Sequence, residues 1–356
     1  MPKATYIQTN FTSGELSPRL NGRVDISKYA NGVKTLRNMV TLPQGGASRR
    51  GGSKYIASGK TNTKKVRLVS FEFSVTQAYV LEFGHNYIRF YKDGGVIEGG
   101  SPTAPIEVST TYTEAELYDL QFTQSADTLF IAHKDHEPAT LSRTSHIAWA
   151  LADYELLSGP VLSVNTTGTT FTPSATSGDI NITASATTGV NGGDGFTASD
   201  VNRIIKITQS TTTGFAKINS ITSTTIVACT GTTAFADTSG VTTWALWHFH
   251  TGNFPQSVAF YEQRLVWSGA PNNPQTLAFS VSGDYSNHLA GSNASDAMVY
   301  TIATDQVNAI KWMNPGPVLI VGTAGGEFIV SASSSDEALT PTNVRVTRQT
   351  TYGSYS

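Results

Sequence analysis

The side chains best suited to ligate a metal ion or carry a proton are the seven histidines. His133 and His136 bracket a two-residue turn, and His248 and His250 stand one residue apart, so that on a strand they would share a face. A zinc site needs three or four convergent ligands. We therefore expect the first pair at an exposed hairpin tip, the second pair in a packing or capping role, and no metal site.

The sequence carries no recognisable catalytic motif. It contains no nucleophile elbow, Walker loop, zincin helix, paired-cysteine site or dinucleotide fingerprint. Glu114 and Glu116 stand near Tyr112 in a polar connection, with nothing that would make either carboxyl an acid catalyst. The single cysteine, Cys229, excludes an internal disulfide. The sequence therefore predicts no enzymatic activity and no cofactor.

Cations offer a different chemistry, centred on the stretch from residue 38 to 55. This stretch combines Pro43, two glycine pairs and the adjacent Arg49 and Arg50. Adjacent arginines suit phosphate or carboxylate, and glycine pairs permit tight turns. A tight turn with two solvated cations is the alternative. We expect Arg49 and Arg50 to contact a neighbouring subunit or phosphate, and the same hypothesis extends to four further cations, namely Arg19, Arg23, Arg37 and Lys54.

Charge is distributed unevenly along the 356 residues. Residues 1–92 contain 15 Lys or Arg and 4 Asp or Glu, a balance of +11, whereas residues 93–356 have a balance of −13. Such asymmetry points to a polyanionic neighbour, or to a self-assembling chain whose basic segment meets an acidic face. A solvated basic surface is the alternative. No apolar run approaches the ~18 residues of a membrane span, and the first residues lack a signal-peptide pattern.

Short apolar strands recur in four similar units after residue 66. Each unit has an apolar-x-aromatic strand, a nearly all-apolar strand and a third strand; the second strands are residues 78–83, 129–132, 265–269 and 318–322. A continuous apolar run is typical of a strand buried on both faces. The repetition predicts an all-β, β-propeller-like fold built from antiparallel meanders, with a pair of β-sandwiches as the alternative. Aromatic residues at matching positions are expected to pack between the units: Phe71, Phe73, Phe122, Phe260 and Trp312.

Composition divides the chain into four segments. We expect an irregular basic N-terminal arm over 1–65, propeller blades over 66–157, an inserted Thr/Ser/Gly-rich β-barrel or sandwich over 158–247, and further blades over 248–356. The arm contains one stretch, residues 25–36, that could hold a turn or two of helix. Four units are few for a closed ring of about 4–8 blades, so we expect the propeller to be incomplete at its C-terminal end, or to be completed by strands from elsewhere.

Several motifs resemble the tail nozzle family of short-tailed bacteriophages and prophages. They are Asn10 to Leu20, Asp25 to Tyr29, Leu36 to Asn38, Leu42 to Gly46 and Arg49 to Tyr55, continued by residues 71–74, 78–84, 88–94, 263–266 and 282–285. The wider layout is similar to that of tail tubular protein B. The similarity covers most of the chain and is weakest in the inserted segment.

The resemblance implies a structural virion protein of the phage tail, assembled in the host bacterial cytoplasm. It implies a homohexameric nozzle below the portal and adaptor proteins, a docking surface for tail fibres or spikes, and a channel through which double-stranded DNA passes without sequence specificity. It implies no enzymatic activity. The alternative function is a propeller-type receptor-binding or carbohydrate-binding tail protein, with glycan degradation as one form of it.

Overall fold

Short strands provide nearly all of the regular structure in a computed structural model that describes residues 7–99, 104–304, 306–334 and 337–355. The chain divides into two compact units, Met1–Ala57 and Ser58–Ser356, called here the N-terminal unit and the main unit. The helices of the described residues are all three-residue 3-10 turns, too short to cross a membrane.

The N-terminal unit contains two strand pairs. Its elements are β1 (Gly14–Glu15), the 3-10 helices η1 (Pro18–Leu20) and η2 (Tyr29–Asn31), β2 (Gly32–Val33), β3 (Met39–Thr41) and β4 (Ala47–Arg49). Strands β1 and β2 are parallel, and β3 and β4 form an antiparallel hairpin. The only helical turn in the stretch expected to hold one is η2.

Four antiparallel meanders, called sheets 1 to 4, follow in the main unit. Sheet 1 contains β5 (Arg67–Ser74), β6 (Gln77–Gly84), β7 (Tyr87–Lys92) and β8 (Gly95–Val96); after the separate pair β9 (Glu98–Gly99) and β10 (Ala104–Pro105), it is completed by β11 (Glu107–Ser109). Sheet 2 contains β12 (Gln121–Ser125), β13 (Thr128–His133), β14 (His136–Arg143) and β15 (Trp149–Asp153).

Between sheets 2 and 3 lies a six-stranded sheet, called here the insert. It contains β16 (Phe171–Pro173), β17 (Asp179–Ala184), η3 (Asn191–Gly193), η4 (Ala198–Asp200), β18 (Ile204–Gln209), β19 (Thr212–Ser223), β20 (Ile226–Thr233) and β21 (Trp244–Leu246). Phe171 bridges to Val241, just before β21, so the two ends of the sheet meet as in a barrel. The indole of Trp244 stacks on Phe171 with ring centroids 3.8 Å apart, inside an apolar core formed only by insert residues.

The last two meanders complete the main unit. Sheet 3 contains β22 (Ser257–Tyr261), β23 (Arg264–Ala270), β24 (Asn273–Phe279) and β25 (Met298–Thr301), and sheet 4 contains β26 (Ile310–Pro315), β27 (Leu319–Thr323), β28 (Gly326–Ala332) and β29 (Val344–Arg348). Each of the four sheets thus adds an edge strand to the three strands expected from the repeats, namely β11, β15, β25 and β29.

The sheets pack face to face in chain order. One apolar cluster joins sheets 1 and 2, a second joins sheets 2 and 3 with part of the insert, and a third joins sheets 3 and 4. Every residue of β23 is buried, since Leu265 and Trp267 enter the second cluster while Val266 enters the third. The all-β, propeller-like class is therefore confirmed, and so is the reason for the continuous apolar strands.

Two of the five repeated aromatics lie outside the apolar clusters that join the sheets, contrary to the expected core packing. Phe71 is buried, and Phe122 and Phe260 pack against buried clusters. Phe73, however, is 40% exposed, and its ring packs on the Arg143 guanidinium of sheet 2 with 4.2 Å from Cζ to the ring centroid. Trp312 is half-buried and lies across Gly322, on the opposite face of sheet 4 from the cluster. A β-bulge shifts the register beside each of these two side chains, which breaks the two-residue alternation that the pattern assumed.

Candidate assembly surface

The hairpin β3–β4 presents the paired arginines. Its turn closes through hydrogen bonds from Leu42 N–H to Gly46 O, 2.8 Å, and from Gly45 N–H to Leu42 O, 3.0 Å. Gly45 has φ +104°, a conformation that glycine adopts without strain, and its carbonyl accepts the Phe11 N–H at 2.7 Å. The glycine-rich sequence therefore shapes a turn that is tied to the start of the unit.

The N-terminal unit has almost no interior. Gly45 is the only buried residue among residues 7–57. The exposed apolar side chains include Ile7 at 76%, Val24 at 81% and Val40 at 51% exposure. An isolated two-stranded hairpin is marginally stable in water. These features are typical of a segment that is stabilised by contact with another surface.

All six predicted site cations lie in this unit and are exposed. Arg49 is at the end of β4, opposite Met39, and the Arg50 N–H donates to Asn38 O at 2.9 Å, so the two guanidinium groups start from adjacent hairpin positions. The structure does not bring all six cations into one cluster of contacts. Among the described residues, Arg19, Arg37, Arg49, Arg50 and Lys54 have no carboxylate within ion-pair distance.

Arg23 differs from the other five because it already has a partner. Its Nη2 lies 2.7 Å from Asp25 Oδ2, and its Nε donates to Asp25 Oδ1 at 2.8 Å. This bidentate pair raises the pKa of Arg23 and lowers the pKa of Asp25. Arg23 is therefore a weaker candidate for an intermolecular anchor than Arg49 and Arg50.

The two units carry net charges of opposite sign. Residues 1–57 contain nine Lys or Arg against two acids, a balance of +7, and residues 58–356 contain 15 against 24, a balance of −9. Surface charges of opposite sign on two parts of a chain favour association between copies, and the attraction weakens with salt.

The histidine predictions need two corrections. His133 ends β13 and is buried, not at the exposed tip, which consists of Lys134 and Asp135. His248 lies beyond the end of β21 and not on a strand, because the chain turns back there through Asn253, whose Nδ2 donates to His248 O at 2.8 Å. The expected packing role fits His248, since burial, together with the Arg203 charge, lowers its pKa to about 4.

Glu116 shares a small polar cluster with His136. The Glu116 carboxylate accepts hydrogen bonds from the Thr113 N–H at 2.7 Å and hydroxyl at 2.8 Å, and lies 3.3 Å from His136 Nε2. Burial alone would raise the pKa of Glu116, but these contacts lower it to about 2. The described residues contain no group of three His, Cys, Asp or Glu side chains placed to hold a metal ion.

Comparisons with known proteins do not identify a family for this chain. No family model matches the chain, and no curated protein matches it. One solved structure with some likeness is the Cps50 (Swd1) β-propeller domain of Myceliophteria thermophila, with 12% identity over 80% of this chain and 85% of that chain. Its TM-score of 0.20 is too low to support any statement about function. The chain is thus characterised by its own geometry: stacked antiparallel sheets, and a basic unit with almost no interior.

Proposed function

We propose that this protein is a structural subunit of a short-tailed phage tail that assembles as a homohexameric nozzle. In this role it sits below the portal and adaptor proteins, offers a docking surface for tail fibres or spikes, and lets double-stranded DNA pass without sequence specificity. It acts in the virion after assembly in the host cytoplasm. The sequence motifs that resemble the nozzle family are the source of these specific assignments.

The observation that carries the proposal is the state of the N-terminal unit. This unit has exposed apolar side chains, almost no buried residues and a net charge of +7. A segment of this kind gains little stability from its own contacts in solution. Contact with another copy would bury the apolar side chains and pair the cations. In a ring, each copy would receive one such contact and make another, which is a heterologous interface that closes on itself.

The acidic remainder suits a DNA conduit. Each phosphate that a protein neutralises adds salt-dependent affinity for DNA, so a lumen lined with many cations would retain the genome. Residues 58–356 have a balance of −9. The 15 Lys or Arg of this part are outnumbered by 24 acids, and this excess of carboxylates would limit such anchors.

Electron microscopy of the purified protein, with light scattering during size exclusion, tests the proposal. We expect six-fold rings with a central hole at about 50 mM salt and fewer rings at about 500 mM salt, because screening weakens contacts between opposite charges. Arg49→Ala with Arg50→Ala should reduce ring formation. The matched control is Arg23→Ala, since Arg23 is already paired with Asp25. A wild-type monomer at every salt and protein concentration would contradict the proposal.

A further inference from the structure

A cleft of about 520 Å³ opens between the edge strands of sheets 1 and 2. One wall is the chain that leaves β11, and the other is formed by the start of β14 and the end of β15. The lining residues are Ser109, Thr110, Thr111, Tyr112, His136, Glu137, Ala139, Leu151, Ala152 and Asp153. A volume of this size is within the range of ligand pockets.

The cleft continues the packing between the two sheets. Ala139 pairs with Asp153 across β14 and β15, and Glu137 lies two residues before Ala139, so these three side chains share one face of sheet 2. Ala139 also belongs to the apolar cluster that joins sheets 1 and 2. Glu137 and Asp153 are therefore the polar end of a face that is otherwise buried against sheet 1.

The cleft is also lined by the nearly buried side chain of Tyr112. This side chain is only 3% exposed, and within the described part of the chain its hydroxyl makes no hydrogen bond. The hydroxyl is not one of the fully buried polar atoms that lack a partner, so it reaches the open space of the cleft. Burial raises the pKa of Tyr112 first, and the charge of Asp153 raises it further. A hydrogen-bonding ligand in the cleft would give this hydroxyl the partner that tyrosine hydroxyls in a protein interior normally have.

The carboxylates that line the cleft favour a positively charged ligand. The lining contains two carboxylates, Glu137 and Asp153, and no lysine or arginine; its one histidine, His136, lies beside the Glu116 carboxylate. Burial raises the pKa of Glu137 and the Asp153 charge adds to the effect, which outweighs the charge of Lys217 and the hydrogen bond from Asn202 Nδ2 to Glu137 Oε2, 3.1 Å. A positive charge placed between Glu137 and Asp153 would stabilise both carboxylates. Anions are disfavoured by the same charges. A saccharide would gain little stacking here, because the Tyr112 ring is buried and no other aromatic residue lines the cleft.

We propose that the cleft binds an arginine side chain from the segment 45–54 of a second copy of this chain. Hydroxyl and carboxylate acceptors on the cleft walls match the five N–H donors of a guanidinium group. Arg49 and Arg50 are exposed and have no carboxylate partner among the described residues, and the units that would meet have opposite charge balances. The inference rests on the proposed self-assembly and names the acceptor for the basic segment.

Titration with a synthetic peptide tests the cleft apart from assembly. The probe is the peptide of residues 45–54, and its match has alanine at positions 49 and 50. NMR or calorimetry should detect binding of the first peptide and not of the second. Asp153→Asn combined with Glu137→Gln should weaken binding by about tenfold or more, since two charge-assisted contacts lose their charge. The control is Asp135→Asn, because that exposed carboxylate is already paired with Lys134.

The outcomes separate the two proposals. Equal binding of both peptides, or unchanged binding by the double variant with native circular dichroism, would overturn the cleft assignment. Rings without peptide binding would remove the cleft and leave the nozzle proposal standing. Peptide binding by a protein that stays monomeric would support the cleft and contradict the nozzle.

Discussion

Arg203 and Asp200 form a buried ion pair in the insert, with Arg203 Nη1 2.6 Å from Asp200 Oδ1 and side-chain exposures of 2% and 1%. Arg203 Nη1 also donates to Asn191 Oδ1 at 2.7 Å, and its Nε donates to Trp247 O at 2.7 Å. Asp200 caps its own 3-10 turn by accepting the Thr197 N–H at 2.8 Å. The pair thus ties a turn of the insert to the segment that returns to sheet 3.

Breaking this ion pair should destabilise the protein strongly. Arg203→Met leaves the Asp200 carboxylate buried without its cation, at a cost of about 3–5 kcal/mol of unfolding free energy. Urea unfolding at neutral pH measures the change. The control is Arg23→Met, which breaks an exposed pair and should leave the unfolding midpoint unchanged. Equal effects of the two substitutions would contradict the role assigned to burial.

Glu116 should stabilise the fold at neutral pH and lose this effect in acid. Because its pKa is lowered from 4.5 to about 2, the unfolded chain binds a proton in this window before the folded chain does. The stabilisation is present above pH 4.5 and disappears as pH falls towards 2. Glu116→Gln should therefore be less stable than the wild type at pH 7, and the difference should shrink below pH 4.5. The exposed Glu155→Gln is the control for removal of one charge.

His288 should make the fold sensitive to mild acid. It is 1% exposed, and burial lowers its pKa from 6.5 to about 3, outweighing the contact of the ring with the Leu265 backbone. As pH falls below 6.5, the unfolded chain binds a proton at His288 and the folded chain does not. The free energy of unfolding therefore decreases as pH falls from 6.5 to 3. His288→Phe should flatten this part of the stability profile in urea unfolding measured at several pH values. A profile as steep as that of the wild type would rule out His288 as its source.

Cys229 should be inert in the folded protein. It lies in the core of the insert, and burial raises the pKa of its thiol to about 12. Thiolate is the reactive form, so alkylation by iodoacetamide at pH 8 should require opening of the insert. Labelling in increasing urea, followed by mass spectrometry, reports that opening. Rapid labelling without denaturant would show that the insert core is accessible.

Much of the fold follows from local patterns. The apolar second strands predicted burial on both faces, and β23 is buried at every position. The Thr/Ser/Gly-rich composition of residues 158–247 predicted a separate β segment, and β16 to β21 within it form a six-stranded sheet. Phe73 and Trp312 were placed wrongly because a β-bulge depends on partner strands that the local pattern does not contain.

The cleft illustrates what sequence cannot supply. Tyr112 and Asp153 lie about forty residues apart, and they approach one another only because β11 and β15 are edge strands of adjacent sheets. Neither residue belongs to a motif with a spacing that could have indicated the site. The exposed cations of the N-terminal unit, by contrast, could be identified from composition, because lysine and arginine side chains are mostly exposed.

Because the sheets stack in chain order, sheets 2 and 3 each pack against a neighbouring sheet on both faces, whereas sheets 1 and 4 do so on one face only. No apolar cluster among the residues that the structure describes joins sheet 4 to sheet 1. A row whose members are coupled only to their neighbours opens from its ends, as repeat arrays do. Amide hydrogens of β13 and β23 should accordingly exchange last, and those of β5 and β29 first, which gives the molecule a graded order of opening.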